Sequence, residues 1–161
     1  MKREQKTLTN KGFSHVELII VVAIMAVLIG VLAPQYLRYV EKTRLQRDNT
    51  GMADFANVLK IAATEEAINS EIATAGTAGI VYTFTGTPLT ATAPGTGATN
   101  LNNEVTKTVD LKDVTLTSNT YTKSGTMPTI VVKVDSNGIV AVECTYFIDT
   151  PNSTTGVVKR F

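Results

Sequence analysis

Hydrophobic residues along this chain follow two patterns, which predict two kinds of helix in succession. Residues 13–33 form an apolar stretch whose single charged residue is Glu17. About 20 such residues cross the hydrocarbon core of a bilayer as a helix. Further along, apolar residues recur at the spacing of an amphipathic helix, at Met52, Phe55, Leu59, Ala62 and Ala63. We therefore expect one interrupted helix from residue 13 to about residue 73, apolar in its first half and amphipathic in its second.

Two residues near the end of the apolar stretch weaken the helix there. Pro34 has no backbone N–H, and its ring clashes with the carbonyl of Gly30, four residues earlier. Glycine adds backbone freedom at the same turn. The pair Gly30 and Pro34 therefore predicts a kink or a melted turn in the helix.

The rest of the chain predicts a small antiparallel sheet that the amphipathic half-helix can cover. Residues 80–84 have the composition of a strand, and residues 157–158 that of a short edge strand. Residues 87–103 are rich in Thr, Gly and Pro and predict a long surface loop. In residues 105–117 apolar and polar residues alternate, and the alternation shifts once by one position. This pattern predicts a bulged or bent strand. The expected fold class is α+β, a long N-terminal helix packed on a small antiparallel sheet.

Residues 129–148 carry the clearest local pattern, a hairpin that turns near Asn137 and Gly138. A two-residue turn would pair Val132 with Glu143 and mix the two faces of the hairpin. A type I turn with Gly138 as a left-handed bulge shifts the register by one residue. The pairs then become Val134 with Val140, Val132 with Val142, and Ile130 with Cys144. We expect this second register, with Cys144 as a small core residue and a reactive thiol as the alternative.

Glu17 is the one charge in a segment that otherwise suits lipid. A carboxylate inside hydrocarbon is costly unless it is paired, and such residues usually serve a function. Lys11 lies close to two helical turns earlier, and His15 points elsewhere on the helix. Two alternatives follow: the partner of Glu17 lies on another molecule, or Glu17 lies shallow enough to reach water.

Charge is unevenly divided between the start of the chain and the remainder. Residues 1–12 carry four basic residues against one acidic residue, a net +3. The whole chain carries a formal net charge of +1, so the remainder carries −2. Basic residues before an apolar span favour a cytoplasmic N-terminus and place the following domain outside. The small total charge argues against a nucleic-acid binder held by phosphate contacts.

Two plainer interpretations of the apolar stretch fit less well. A cleaved secretory signal has a shorter apolar region and ends in a small-residue cleavage site. Here the run ends at Ala33-Pro34-Gln35, and helix-forming residues continue beyond it. A plain membrane anchor does not explain why a carboxylate, Glu17, lies in the apolar segment.

The stretch Lys11-Gly12-Phe13, followed by Glu17 and a long apolar helix, resembles the class III signal peptide of type IV pilins and of the pseudopilins of type II secretion. Pro34 and the following Gln35-Tyr36 also match positions common in that family. The resemblance is close over residues 11–39 and only architectural beyond them. His15 departs from the family, which usually has an apolar residue there.

This resemblance implies how the chain matures. A prepilin peptidase cuts between Gly12 and Phe13, and Phe13 is then N-methylated. Glu17 meets the new α-amino group of a neighbouring subunit when the subunits assemble. That pairing is physically reasonable, because an amine and a carboxylate neutralise each other in an apolar bundle.

The same resemblance implies a domain plan, a function and partners. Residues 1–12 are a leader, residues 13–35 a transmembrane and fibre-core helix, and residues 36–161 an exported globular domain with a helix over residues 36–73 and the sheet. The expected function is that of a structural subunit of a type IV pilus, a helical homo-oligomer for adhesion, aggregation, motility or DNA uptake. The expected partners are the prepilin peptidase, the pilus assembly platform and its ATPase machinery. The subunit is expected in the cell membrane before assembly and in an extracellular fibre afterwards.

Two other functions stay open. A pseudopilin of a type II secretion or competence machine fits Glu17 equally well. A membrane-anchored adhesin would not need the junction between Gly12 and Phe13. The single cysteine excludes a disulfide within this sequence, a feature that resembles pilins of single-membrane bacteria.

The residues that usually carry catalysis form no recognisable set. The sequence has no Gly-x-Ser-x-Gly motif, no phosphate loop and no His-Glu-x-x-His motif. Its one histidine lies in the apolar stretch, which excludes a histidine-dependent triad from the exported domain. The nearby acids Asp110 and Asp113 are expected to be solvated charges, as are Glu65 and Glu66. No enzymatic activity, cofactor or metal ion is therefore expected.

Overall fold

The structure, a computed structural model, describes residues 12–161 except residues 87, 96, 124, 126, 136, 152 and 154. It divides into two compact units, Met1–Leu37 and Arg38–Phe161. Of the predicted leader over residues 1–12, only Gly12 lies among the described residues. Helix α1 (His15–Ala62) contributes residues to both units.

In the first unit, the described residues form the beginning of α1 and the three residues before it. Its apolar side chains are exposed throughout. The helix continues through Gly30 and Pro34, so the melted turn is not found in the described chain. The alternative, a kink at these two residues, stays a prediction.

In the second unit, the remainder of α1 buries one face of the amphipathic pattern. The buried side chains recur at helical spacing, at Leu45, Met52, Phe55, Ala56, Leu59 and Ala62. The helix is interrupted at residues 63–65, which form a turn, and helix α2 (Glu66–Ala75) follows. Hydrogen bonds to carbonyls three residues back tighten this end, from Thr64 N to Ile61 O and from Glu65 N to Ala62 O. The helix predicted over residues 36–73 is therefore divided at residues 63–65, a break that was not predicted.

The sheet contains six strands among the described residues, in the order β3-β2-β1-β4-β5-β6. Their bounds are β1 (Ile80–Thr85), β2 (Leu89–Thr92), β3 (Thr115–Leu116), β4 (Thr129–Val134), β5 (Val140–Phe147) and β6 (Val157–Arg160). Every pair of neighbours is antiparallel. A long N-terminal helix and an antiparallel sheet confirm the predicted α+β fold class. The predicted strand at residues 157–158 is confirmed as part of β6, at one edge of the sheet.

The predicted register of the β4–β5 hairpin is confirmed. Its pairs include Val134 with Val140, Val132 with Val142, and Ile130 with Cys144. Gly138 has a φ of 77°, and its N–H donates to the carbonyl of Asp135 at 3.0 Å. Turn residue 136 lies outside the described residues. Cys144 is fully buried, which confirms that it is a core residue. Burial also raises the pKa of its thiol.

The prediction of a long loop over residues 87–103 is wrong. Strand β2 and helix α3 (Thr99–Thr108) occupy most of it. Helix α3 lacks a local side-chain cap; instead the carboxylate of Glu71 in α2 accepts hydrogen bonds from Asn100 N and Leu101 N, at 3.2 and 2.9 Å. A cap supplied from 30 residues away leaves no local sequence pattern, which is why the helix was not predicted.

The bulged strand predicted over residues 105–117 is also wrong. Val105 lies in the last part of α3, and only Thr115 and Leu116 form a strand, the short edge strand β3. The slip of phase in this segment is therefore a helix end followed by a turn. A further short helix, α4 (Asn119–Lys123), follows β3.

The core of the second unit lies between α1, α2 and the sheet. Phe55 of α1 meets Tyr82 of β1 edge to face, with ring centroids 5.3 Å apart. Both rings are buried, which confirms the predicted core role of Phe55. The Tyr82 hydroxyl is buried without a hydrogen-bond partner among the described residues. Burial raises the pKa of Tyr82, and the nearby Glu71 charge raises it further.

Candidate functional site at the head of the apolar helix

The predicted cleavage junction lies just before α1 in non-helical chain. Gly12 and Phe13 are both exposed, and the Phe13 side chain is 91% accessible. A Cβ atom added at Gly12 would meet no other atom within 4 Å. The fold of the described chain therefore does not require glycine at this position. Any requirement for Gly12 must come from a molecule that binds the junction.

Glu17 takes part in a reciprocal capping arrangement with Ser14, the residue before α1. Ser14 N donates to Glu17 Oε2 at 2.9 Å, and Val16 N donates to Ser14 Oγ at 3.3 Å. The backbone closes the same turn, since Leu18 N donates to Ser14 O at 3.2 Å. These bonds satisfy N–H groups that a helix start leaves without intrahelical partners. A carboxylate in the first turn also complements the helix dipole.

This arrangement adds a third possibility to the two that the sequence left for Glu17. One carboxylate oxygen is satisfied by the backbone of its own chain. The other, Oε1, has no hydrogen-bond partner among residues 12–161 as described. The carboxylate is thus half satisfied inside the subunit and keeps one acceptor for a second donor. The Ser-x-x-Glu spacing before an apolar run is a known capping pattern, so the sequence held this signal at Ser14.

The apolar segment itself has the properties of a membrane-crossing helix. Within α1 an 18-residue window reaches a mean hydropathy of 3.0, and none of that window is buried within the described chain. The segment is long and apolar enough to cross a bilayer. His15, the residue that departs from the family pattern, is the first residue of α1 and is exposed.

Besides Glu17, α1 carries two buried acidic residues that the sequence patterns did not predict. Glu41 and Asp48 lie one heptad apart and are only 8% and 1% exposed. Glu41 Oε1 accepts hydrogen bonds from Ser118 Oγ, Thr120 N and Thr120 Oγ1, at 2.6, 2.9 and 3.0 Å. Asp48 Oδ2 accepts from Thr117 N at 2.7 Å and Ser118 N at 2.6 Å. The two acids therefore hold the segment between β3 and α4 against α1.

Burial and hydrogen bonding act against each other on these two carboxylates. Desolvation raises the pKa of Glu41, but the hydrogen bonds from Ser118 and Thr120 outweigh it, and the pKa lies below its ordinary value. For Asp48 desolvation dominates over the N–H groups of Ser118 and Thr117, and its pKa lies above the ordinary value. The first carboxylate is thus stabilised as an anion by the fold and the second is not.

A neighbouring network continues this contact along α1. Asn49 accepts a hydrogen bond from Tyr121 Oη at 2.7 Å and donates to the carbonyl of Ile148 at 3.0 Å. Ile148 N donates to Tyr121 Oη at 3.1 Å. The spacing of Glu41 and Asp48 among Leu45 and other buried α1 residues was the available clue. Polar residues inside an apolar stripe indicate buried partners.

The structure places the predicted site residues as follows. Gly12, Phe13 and Glu17 lie together at the head of α1, whereas Gly30 and Pro34 lie further along the same helix.

Comparison with protein-family models, with curated proteins and with solved structures gives no match.

Proposed function

We propose that this chain is a structural subunit of a type IV pilus-like fibre. In this proposal a prepilin peptidase removes residues 1–12, and Phe13 becomes the N-methylated first residue of the mature subunit. The subunit waits in the membrane through residues 13–35. An assembly platform and its ATPase then move it into a helical homo-oligomer outside the cell.

The single observation that carries the proposal is the position of Glu17. It is the only acid in an exposed apolar segment, it lies five residues after Gly12, and one of its carboxylate oxygens has no partner in the described chain. An exposed apolar face of this length needs lipid or other apolar helices around it. A half-satisfied carboxylate in that environment needs a donor. A bundle of identical helices with free N-terminal amines supplies both.

The chemistry of maturation creates that donor. Hydrolysis of the peptide bond between Gly12 and Phe13 leaves a carboxylate on Gly12 and a free amine on Phe13. The amine is protonated near neutral pH, and methylation keeps its positive charge. The capping bonds use only atoms of residues 14–18, so cleavage leaves them intact. Glu17 Oε1 then accepts a hydrogen bond from the amine of a neighbouring Phe13, while Oε2 keeps its hydrogen bond from Ser14 N.

The exposed junction supports the processing step. Gly12 and Phe13 are non-helical and accessible, as a peptidase substrate must be. Because a side chain at Gly12 meets nothing in the described chain, Gly12→Val should leave the fold unchanged and block cleavage. Mass spectrometry of the chain from membranes measures this directly. Processing of Gly12→Val at the normal rate would contradict the proposed leader.

A pseudopilin shares every one of these features and is the second candidate. Mass spectrometry of a mature N-terminus that begins at methylated Phe13 supports both and contradicts a plain membrane-anchored adhesin. Electron microscopy of sheared cell surfaces then separates the two candidates. Long fibres that disappear when this chain is deleted support the pilin, and lost secretion or DNA uptake without surface fibres supports the pseudopilin.

A further inference from the structure

Positive charges surround α1 directly after the apolar segment. We call Arg38, Lys42 and Arg44 the basic collar; all three are exposed. The only acid among residues 34–46 is Glu41, which is buried in its hydrogen bonds to Ser118 and Thr120. This part of the helix therefore presents three positive charges to its surroundings and no negative charge.

The collar is available for an outside partner. Arg38 and Lys42 form no ion pair and no hydrogen bond with any residue that the structure describes. They lie four residues apart and therefore share one side of the helix. Arg44, three residues after Glu41 and therefore its neighbour on the helix surface, interacts electrostatically with that carboxylate. Arg47, a little further on, is by contrast engaged with Asp48 at 3.6 Å and with the Thr117 hydroxyl.

Two exposed tyrosines lie in the same short segment. Tyr36 is 66% accessible and Tyr39 is 69% accessible. Tyrosine rings are enriched at the headgroup level of membranes, where the ring is apolar and the hydroxyl is hydrated. An apolar run, then tyrosines, then basic residues is the order expected where a helix leaves a bilayer.

The distance along the chain keeps Arg38, the first residue of the collar, near the membrane surface. Arg38 lies five residues beyond Ala33, so it is at most about 18 Å from the end of the apolar run in any conformation. The headgroup regions add roughly 5–8 Å on each side of the hydrocarbon core. A charge at this height is within or close to one Debye length of the lipid phosphates, about 8 Å at physiological salt.

We propose that the basic collar binds the phosphate groups of anionic phospholipids in the leaflet from which the second unit projects. The inference rests on the membrane residence in the proposed function. The tyrosines set the depth of the helix, and Arg38 and Lys42 bind the headgroups. Each basic residue near an anionic surface increases the constant for membrane binding about fivefold. The collar therefore retains the subunit in the membrane until the subunit is extracted.

The absence of tryptophan from the sequence permits a clean measurement. Tyr39→Trp places the only tryptophan of the chain beside the collar. The full chain carrying this reporter is reconstituted into phosphatidylcholine vesicles that contain a minor fraction of brominated phosphatidylglycerol or, separately, of brominated phosphatidylcholine. We expect quenching by the anionic lipid to exceed quenching by the zwitterionic lipid by about twofold or more. The excess should vanish in about 1 M salt, where the Debye length is about 3 Å.

A matched pair of variants tests which charges are responsible. In the reporter chain, Arg38→Gln with Lys42→Gln should make the two quenching values equal. Lys112→Gln with Lys123→Gln removes two exposed charges elsewhere in the second unit and should leave the excess unchanged. Equal quenching in the unmodified reporter chain, or an excess that survives in the collar variant, overturns the inference.

The same samples separate this inference from the proposed function. If the chain floats with the vesicles but both lipids quench equally, the collar inference fails and membrane residence stands. If crosslinking then shows that the collar variant loses contacts between copies, the collar binds a second subunit and the inference is wrong. If the chain does not float with vesicles at all, both the inference and the membrane residence of the proposed function fail.

Discussion

Helix α1 carries two kinds of acidic residue whose surroundings are opposite. Glu17 lies on exposed, apolar helix, and only one of its carboxylate oxygens has a partner in the described chain. Glu41 is buried, and three donors of the same chain converge on one of its oxygens. The second carboxylate completes a fold, whereas the first leaves an interaction open. The comparison indicates which acid is satisfied within the described chain and which is satisfied there only in part.

The apolar residues of the two units differ in the same way. In the second unit one face of α1 is buried in the core, at Leu45, Met52, Phe55 and Leu59, whereas the large apolar side chains of the first unit are exposed. A stable soluble unit does not leave so long an apolar face in water. The second unit therefore has its own core, whereas the first has an exposed helix that is long and apolar enough to cross a membrane.

The largest expected effect concerns the open carboxylate. Replacing Glu17 with Ala should leave membrane levels of cleaved subunit normal and remove most or all sheared fibres. The amine of a neighbouring Phe13 would be buried without its counter-charge, and breaking a buried pair costs about 3–5 kcal/mol. Immunoblots of the shear and membrane fractions from the same cells measure both quantities. Abundant sheared fibres from this variant would end the assembly role of Glu17.

Two further variants separate the charge of Glu17 from its capping bond. Glu17→Gln keeps an acceptor for Ser14 N, because Gln serves in the same capping pattern, but it removes the charge. Ser14→Ala removes the hydroxyl that accepts from Val16 N and keeps the charge. If assembly needs the charge, Gln is nearly as poor as Ala and Ser14→Ala assembles well. The reverse order of fibre yields would show that Glu17 acts only as a helix cap.

The next prediction concerns the hydrophobic core of the second unit. Phe55→Ala should lower the free energy of unfolding of the second unit by about 3–5 kcal/mol, because the ring is buried against Tyr82. Near-ultraviolet circular dichroism of the full chain in detergent follows the transition through the buried tyrosines. Leu28→Ala, an exposed position of the first unit, is the matched control and should leave the transition where it is. A Phe55→Ala melt equal to that of the unmodified chain would refute this core assignment.

The sequence alone predicted those parts of the fold whose determinants are local. The hairpin register follows from turn residues and strand alternation near Gly138, and the buried face of α1 follows from helical spacing. Helix α3 was missed because its cap, Glu71, comes from another helix. At the candidate site the sequence indicated the junction and Glu17. It did not indicate Ser14 as a partner of Glu17, although the capping pattern was present, because the donor is a backbone N–H group, which every residue except proline carries.

A smaller effect is expected at the buried acid. Glu41→Ala removes the oxygen that accepts from the Ser118 hydroxyl and from N and Oγ1 of Thr120, although Thr120 N keeps its bond to Ser118 Oγ at 3.1 Å. Unsatisfied buried polar groups cost about 1–3 kcal/mol, so the same unfolding measurement should show a loss of that size. Glu41→Gln keeps one acceptor oxygen and should lose less. Equal stability of the Ala variant and the unmodified chain would mean that water replaces Glu41 at this contact.

The smallest effect is a pH dependence that separates the two buried acids by sign. The folded pKa of Glu41 lies below its ordinary value of 4.5, so its contribution to stability is present above that pH and is lost as the pH falls further. The folded pKa of Asp48 lies above its ordinary value of 3.8, so protonation of Asp48 favours the fold, and that contribution is lost as the pH rises through the folded pKa. Glu41→Gln should therefore approach the stability of the unmodified chain on acidification from about pH 4.5. Asp48→Asn, whose amide oxygen can still accept from Thr117 N and Ser118 N, should instead fall further behind the unmodified chain. Unfolding curves of the full chain in detergent at a series of pH values give both differences. Parallel curves for the two variants would show that the fold does not distinguish these carboxylates as the hydrogen bonds and burial imply.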